Sequence, residues 1–230
     1  MKRITFISDT HTKHKGLSLP GGDILIHSGD IMSSGYSIME VYDFLLWFDS
    51  IDNYDFKIFI AGNHDRVFQN DSDKIKGILT GYKTIDYLED DFVQLEFEDE
   101  TIKIWGTPWQ PWFYNWAFNL PRNGPGLASK WEMIPEDTDI LITHGPPMGI
   151  LDRVERDNQN VGCELLLEKI QEIKPKINVF GHIHEGYGYI SNGNTHFINA
   201  SVLDGRYVLN NKPITIDWDK KNNSIIFINE

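Results

Sequence analysis

The stretch Lys57-Ile58-Phe59-Ile60-Ala61-Gly62-Asn63-His64-Asp65 sets an apolar run directly against a cluster of metal-binding and proton-transfer side chains. A short run rich in Ile and Phe that stops at Gly predicts a strand buried on both faces, with the polar cluster at its exit. Four further runs end the same way: 4–8 before Asp9-Thr10-His11, 24–27 before Ser28-Gly29-Asp30, 140–143 before His144-Gly145, and 177–180 before Gly181-His182-Ile183-His184. Helical spacing lies between them, with Val41, Phe44, Leu45 and Phe48 across 37–49, and Leu165, Leu166, Ile170 and Ile173 across 162–173. Strand and helix alternate, and in open α/β sheets ligands bind at the carboxyl ends of the strands, so the five clusters are expected to converge there. A looser set of strands is expected at 92–97 and 101–105 around the turn Glu98-Asp99-Glu100, then at 195–199, 214–217 and 224–228. Two sheets packed between helices accommodate both sets.

The chain has 230 residues, 40% hydrophobic and 24% charged, a balance that predicts a single globular domain over residues 1–230. No repeat, linker or low-complexity tract divides it. The formal net charge of -13 opposes a long polyanion, and no Lys/Arg cluster suggests a basic groove, so a small anionic substrate is expected and long nucleic acid is not. The apolar start is interrupted by Thr5 and ends in Ser8-Asp9, which predicts a first strand and not a signal peptide. With no apolar run of about 18 residues, no membrane span is expected. The single Cys163 cannot form an internal disulfide, and a cytoplasmic location is expected.

Read together, the clusters supply carboxylates, imidazoles and an amide, donors that suit first-row divalent cations. The absence of paired cysteines argues against a zinc finger or an iron-sulfur cluster. A lone histidine at a strand end is commonly structural; seven donors in five clusters are more than a closed four-ligand site uses and point to a catalytic one. Asp9-x-His11 and His182-x-His184 are expected to project two donors in one direction from extended backbone.

In that order, the five blocks resemble the signature of the calcineurin-like metallophosphoesterase superfamily, over Asp9 to His184. Within it, His27-Ser28-Gly29-Asp30, Ala61-Gly62-Asn63-His64-Asp65, Thr143-His144-Gly145-Pro146-Pro147 and Phe180-Gly181-His182-Ile183-His184-Glu185 are similar to the small single-domain group of metallophosphoesterase-domain proteins. The resemblance implies a four-layer αββα sandwich, with two central mixed β-sheets flanked by helices. It implies two divalent metal ions per chain, Mn²⁺ first, with Fe, Zn, Ni or Mg as alternatives. Asp9, His11 and His184 would hold one ion, Asn63, His144 and His182 the other, and Asp30 would bridge them. Some relatives have lost one histidine of the last block to glycine; here both remain. The sequence departs from many members at Asp30-Ile31-Met32-Ser33-Ser34-Gly35, which lacks the further acidic or asparagine residues they carry after the bridging aspartate.

The implied activity is that of a metal-dependent hydrolase, a phosphodiesterase acting on a small phosphodiester or cyclic nucleotide. Two cations about 3.5 to 4 Å apart can share a water, give a bridging hydroxide near neutral pH and clamp the phosphoryl oxygens. A phosphomonoesterase is the runner-up, and a non-catalytic nucleotide-binding protein with a retained metal site is the rival from another class. His64, next to Asn63, is the candidate acid for the leaving oxygen, with Asp65 expected to fix its tautomer; Asn63 and His64 would contact substrate. His27 is expected to be buried and hydrogen-bonded, His14 and His196 not to be ligands, and Cys163 to be a small core residue. Arg122, Arg153 and Arg156 lie in segments that could reach the pocket and contact a phosphate, but surface ion pairs are the commoner fate of such residues, and no role is assigned to them. The aromatic segment 105–116 is expected to be a packed loop, with a base-stacking rim and a dimer interface as the alternatives.

Overall fold

Along the first strand, β1 (Lys2–Ile7), Ile4 and Phe6 enter one core and Ile7 another, so both faces are covered and the apolar run is continuous. The computed structural model describes residues 1–98 and 100–228. Parallel to β1 run β2 (Gly22–His27), β3 (Tyr54–Phe59) and β4 (Ile85–Tyr87), in register Ile4 to Ile24 and Ile26 to Ile58. Helix α1 (Ile38–Ser50) joins β2 to β3, and α2 (Arg66–Asn70) with α3 (Ser72–Leu79) join β3 to β4.

The hairpin β5 (Asp91–Glu96) and β6 (Thr101–Thr107) opens a second sheet. The turn expected at Glu98-Asp99-Glu100 falls on Asp99, outside the described residues. There follow a short pair β7 (Gln110–Pro111) and β8 (Asn119–Leu120), helix α4 (Pro125–Glu132), β9 (Ile140–Thr143), and a second short pair β10 (Arg153–Val154) and β11 (Gln159–Asn160). Helix α5 (Glu164–Ile173), β12 (Ile177–Phe180), β13 (Gly188–Ser191) and β14 (His196–Asn199) complete this sheet, while β15 (Ile214–Asp219) and β16 (Ser224–Ile228) return to the first. Strand orders are β16-β15-β1-β2-β3-β4 and β13-β14-β12-β9-β6-β5. Each sheet has four parallel strands with antiparallel strands added at its edges.

Three cores make the four layers. Ile4, Phe6, Ile26 and Ile58 meet Ile104, Ile142 and Val179 between the sheets. Phe59 and Leu25 pack outward on Val41, Phe44, Leu45 and Phe48 of α1, and Leu141 and Phe180 on Leu127 and Trp131 of α4 and Leu166 and Ile170 of α5. The mixed α/β sandwich and the helical faces agree with the expectation. One boundary moves: Gly162 stays outside α5, pressed on the Pro147 carbonyl, and Cys163 caps the helix, its Sγ accepting from the Leu166 amide at 3.4 Å. Among the described residues no helix is long and apolar enough to cross a membrane.

His27, the last residue of β2, is fully buried, with Nε2 2.9 Å from Thr10 Oγ1 and Nδ1 accepting from the Gly29 amide at 3.2 Å. Burial pushes its pKa down to about 3 from 6.5. Because the folded state prefers the neutral ring and the unfolded chain takes up a proton below pH 6.5, its contribution is complete above 6.5 and lost as pH falls toward 3. Acid should therefore destabilise the fold by roughly several kcal/mol through this one residue. Thermal melts of chelator-treated protein should show His27→Gln flattening that dependence; an unchanged slope would refute the assignment.

Candidate metal centre

Five adjacent strand exits deliver the donors: β1, β2 and β3 from one sheet, β9 and β12 from the other. The backbone leaves each strand sharply. Asp9 (φ 52°), His11 (φ 38°), Asp30 (φ 59°) and His182 (φ 66°) are all left-handed, a conformation that costs an L-residue roughly 1–2 kcal/mol. Hydrogen bonds donated by the backbone N–H of Asp9 to the Gly29 carbonyl (2.9 Å), of His11 to that of Asp30 (3.0 Å) and of Gly181 to that of His144 (3.0 Å) hold the turns in place. The extended backbone expected for Asp9-x-His11 and His182-x-His184 is thus corrected: tight turns aim these donors, and His184 opens a short 3-10 turn. The carboxylates crowd two glycines. A Cβ on Gly62 would lie 2.3 Å from Asp30 Oδ1, and one on Gly181 2.0 Å from Asp9 Oδ2.

The structure brings all seven expected donors together in two groups. Asp9, His11 and His184 each offer an atom within 4.8 Å of the others. Asn63 Oδ1 lies 2.9 Å from His144 Nε2 and 2.8 Å from His182 Nδ1. Between the groups sits Asp30, with Oδ2 3.6 Å from His11 Nε2 and 3.4 Å from His144 Nε2, while its Oδ1 accepts the His64 amide at 2.7 Å.

Three imidazoles are oriented from behind by backbone. Nδ1–H of His11 donates to the Met32 carbonyl (2.9 Å), that of His144 to Ser28 (2.9 Å) and that of His184 to Asp204 (3.1 Å). Each ring therefore presents Nε2 to the centre, the arrangement by which metal-ligating histidines are fixed. His11 Nε2 is buried without a hydrogen-bond partner among the described residues, a lone pair aimed toward the Asp30 carboxylate. A divalent cation satisfies such an atom, and the donor set fits one in charge and type.

Carboxylates and imidazoles of the centre set one another's protonation. Burial opposes ionisation of Asp9 and Asp30, yet His184 holds the first carboxyl, and His144 the second, below the usual carboxylate range. Against its own desolvation, His144 is held up at about 9 by Asp30, and His184 at about 8 by Asp9. Burial and the charge of His144 push His182 down to about 3. Cation binding would displace the protons on His144 and His184.

The expected partnership of Asp65 with His64 is not what the structure shows. Asp65 is fully buried and turned away, accepting the amides of Asp30 (2.9 Å), Ile31 (3.2 Å), Met32 (2.9 Å) and Gly62 (2.7 Å). It ties the loop after β2 to the loop after β3. Burial, with the charge of Asp30, pushes its carboxyl up to about 8. The His64 ring instead donates Nδ1–H to the Ser33 backbone carbonyl and stands beside His11 and Asp30.

A cleft of about 920 Å³ opens over the centre, walled by Trp112, Phe113, Tyr114 and Trp116. The packed-loop expectation holds for Trp105, buried under α4 and α5, and fails for Trp112 (63% exposed) and Tyr114 (60% exposed), which line the open wall. Sequence reasoning missed Tyr207, whose ring lies 5.0 Å from His11 and 4.9 Å from His184, and Arg66, over Trp116 and Tyr36. Tyr207 belongs to no motif and only the fold brings it to the cleft, whereas Arg66 directly follows Asp65 and gave no signal of its stacking on Trp116. Arg122 pairs with Glu164 (2.7 Å) and Arg156 with Asp157 (2.8 Å), both at the cleft, whereas Arg153 binds Asn158 at 2.8 Å. His14 is buried beside Trp47, 3.3 Å from Asp43, and His196 lies near Phe227; neither reaches the centre.

The family model for calcineurin-like phosphoesterases matches residues 2–186. The human metallophosphoesterase domain-containing protein 1 is 43% identical over 239 residues, a match covering 96% of this chain and 72% of that protein, and its mouse counterpart matches equally. Among solved structures, phosphopantetheinyl hydrolase from Mycobacterium tuberculosis superposes with a TM-score of 0.59 over 89% of this chain and 90% of that one, at 17% identity. TT1561 of Thermus thermophilus does so with 0.61 over 99% and 98%, at 12% identity. At these identities the two structures speak to the fold alone.

Proposed function

The chain belongs to the calcineurin-like phosphoesterase family and is therefore a metal-dependent phosphoesterase; from that premise we propose that it is a phosphodiesterase acting on a small diester. The observation that carries this is Asp30 Oδ2 between His11 Nε2 and His144 Nε2, one from each donor group. Asp9, His11 and His184 would hold one cation, Asn63, His144 and His182 a second, with Asp30 shared. Bound there, two divalent ions supply Lewis-acid polarisation of phosphoryl oxygens and lower the pKa of a shared water.

The chain's own residues do the rest. Backbone carbonyls of Met32, Ser28 and Asp204 fix the imidazoles, and Asp65 keeps the two loops that carry Asp30 and Asn63 in register. His64, outside both groups of three and held by Ser33, faces the cleft as the acid for the leaving oxygen, and with Asn63 it would contact the phosphoryl group. Two divalent cations with Asp9, Asp30 and a hydroxide would leave the inner shell with one net positive charge, which a monoanionic diester would neutralise. Arg122 and Arg156 at the cleft already face carboxylates, which leaves less cationic capacity for the second charge of a monoester. Manganese is the proposed resident ion and a cytoplasmic location is proposed with it.

Metal-stripped protein reloaded with Mn²⁺ should hydrolyse bis-p-nitrophenyl phosphate faster than p-nitrophenyl phosphate. Faster monoester turnover would reverse the assignment. Absence of turnover of either ester, with metal measured on the protein, would replace it by nucleotide binding without catalysis.

A further inference from the structure

His64 is held at one nitrogen by the Ser33 backbone carbonyl. A single hydrogen bond fixes a point on an imidazole and not its plane, because the terminal torsion of histidine is broad. The plane is set by a different residue. The Trp116 indole stacks on the His64 ring at 4.0 Å between centroids and 23° between planes, while the His11 ring meets its edge at 4.6 Å and 83°. Trp116 is itself anchored: the next residue, Ala117, donates its amide to the Asn63 carbonyl (3.0 Å), and Phe118 donates to Gln69 Oε1 (2.9 Å). The Arg66 guanidinium lies 4.7 Å from the Trp116 ring centroid and donates to the Asn115 carbonyl. The segment that carries Trp116 is thus tied directly to the loop bearing Asn63.

We propose that Trp116 is a positioning residue that clamps the plane of His64, keeping Nε2 directed at the leaving oxygen. This rests on His64 being the acid. In the step it serves, a hydroxide oxygen forms a bond to phosphorus as the P–O bond to the leaving group breaks, the proton on His64 Nε2 passes to the departing oxygen, and the neutral imidazole keeps Nδ1–H on Ser33. A misdirected acid matters most where the leaving group needs a proton, so stacking controls which diesters are turned over and not the capacity to bind them.

The test compares methyl phenyl phosphate, a poor leaving group, with methyl p-nitrophenyl phosphate, a good one, in Trp116→Ala, Trp116→Leu, Trp116→Phe and His64→Gln, all loaded with Mn²⁺. Trp116→Ala and Trp116→Leu should lose about ten- to a hundredfold in kcat on the phenyl ester and under about threefold on the nitrophenyl ester, with KM little changed and Trp116→Phe restoring most of the loss. Independently of activity, the His64 ring protons should lose their ring-current upfield shift in Trp116→Leu, read by NMR of the Zn²⁺-loaded protein. Equal losses on both esters, or an unmoved His64 signal, overturn the proposal. Should His64→Gln discriminate between the esters while the Trp116 variants do not, only the clamp fails. If His64→Gln itself loses equally on both, the acid role fails and the clamp with it.

Discussion

The Asp30→Ala protein loses at least about a thousandfold in Mn²⁺-dependent diester turnover, since residues that only orient ligands already cost about 10- to 100-fold when removed. Asp30 has three roles in the centre. Its Oδ2 faces both His11 Nε2 and His144 Nε2, its Oδ1 accepts the amide of His64, and its charge holds the His144 pKa up at about 9. Removing it strips the shared ligand and frees the loop that carries Asn63 and His64. Asp30→Asn separates these effects, because the amide oxygen can still take the His64 N–H while the charge is gone. Metal analysis after gel filtration should find fewer than two ions per chain in both variants. A variant that retains two ions and turns over diester near the wild-type rate would remove Asp30 from the bridging position.

His64→Gln should keep both cations and lose roughly a hundred- to ten-thousandfold in kcat on diesters with poor leaving groups, the range a positioned acid contributes. The contrast with Asp30 is geometric. His64 Nδ1–H is committed to Ser33, its ring is packed between Trp116 and His11, and none of the paired contacts of Asn63 Oδ1 with His144 and His182 depends on it. Metal content, the secondary-structure signal and KM should therefore stay close to wild type while kcat falls. Loss of metal alongside activity would instead make His64 a ligand, a role its approach to His11 and Asp30 within 4.8 Å leaves geometrically open.

The layered fold was legible because both faces of each central strand are covered. Runs such as Ile24-Leu25-Ile26 and Ile177-Asn178-Val179-Phe180 had to be nearly continuous in apolar residues, and the four buried residues of α1 stand at helical spacing in the sequence itself. Helices α2, α3 and α4 went unread: they are short and have few buried positions, so their periodicity is too brief to register. The seven candidate donors stood out in the sequence because five clusters of Asp, His and Asn each follow an apolar run, and the structure brings them together.

The roles of Asp65, Ser33, Trp116 and Tyr207 were not visible, for one physical reason. Asp65 neighbours His64 in sequence, which suggested a pair, but its carboxyl oxygens accept four buried backbone amides on two loops, and that demand outweighs proximity along the chain. Ser33 acts through its carbonyl, which every residue type possesses. Trp116 and Tyr207 lie 52 and 143 positions beyond His64 and meet histidines of the centre by ring contact across loops. Sequence by itself indicated the central strands of both sheets, though not β4 or β13, together with the candidate donors and the class of chemistry, because these are written in local pattern. Tertiary structure alone decided how each donor is aimed, which backbone groups hold it, and what walls the cleft, because hydrogen-bond satisfaction and ring packing are settled between segments that meet only when the two sheets close on one another.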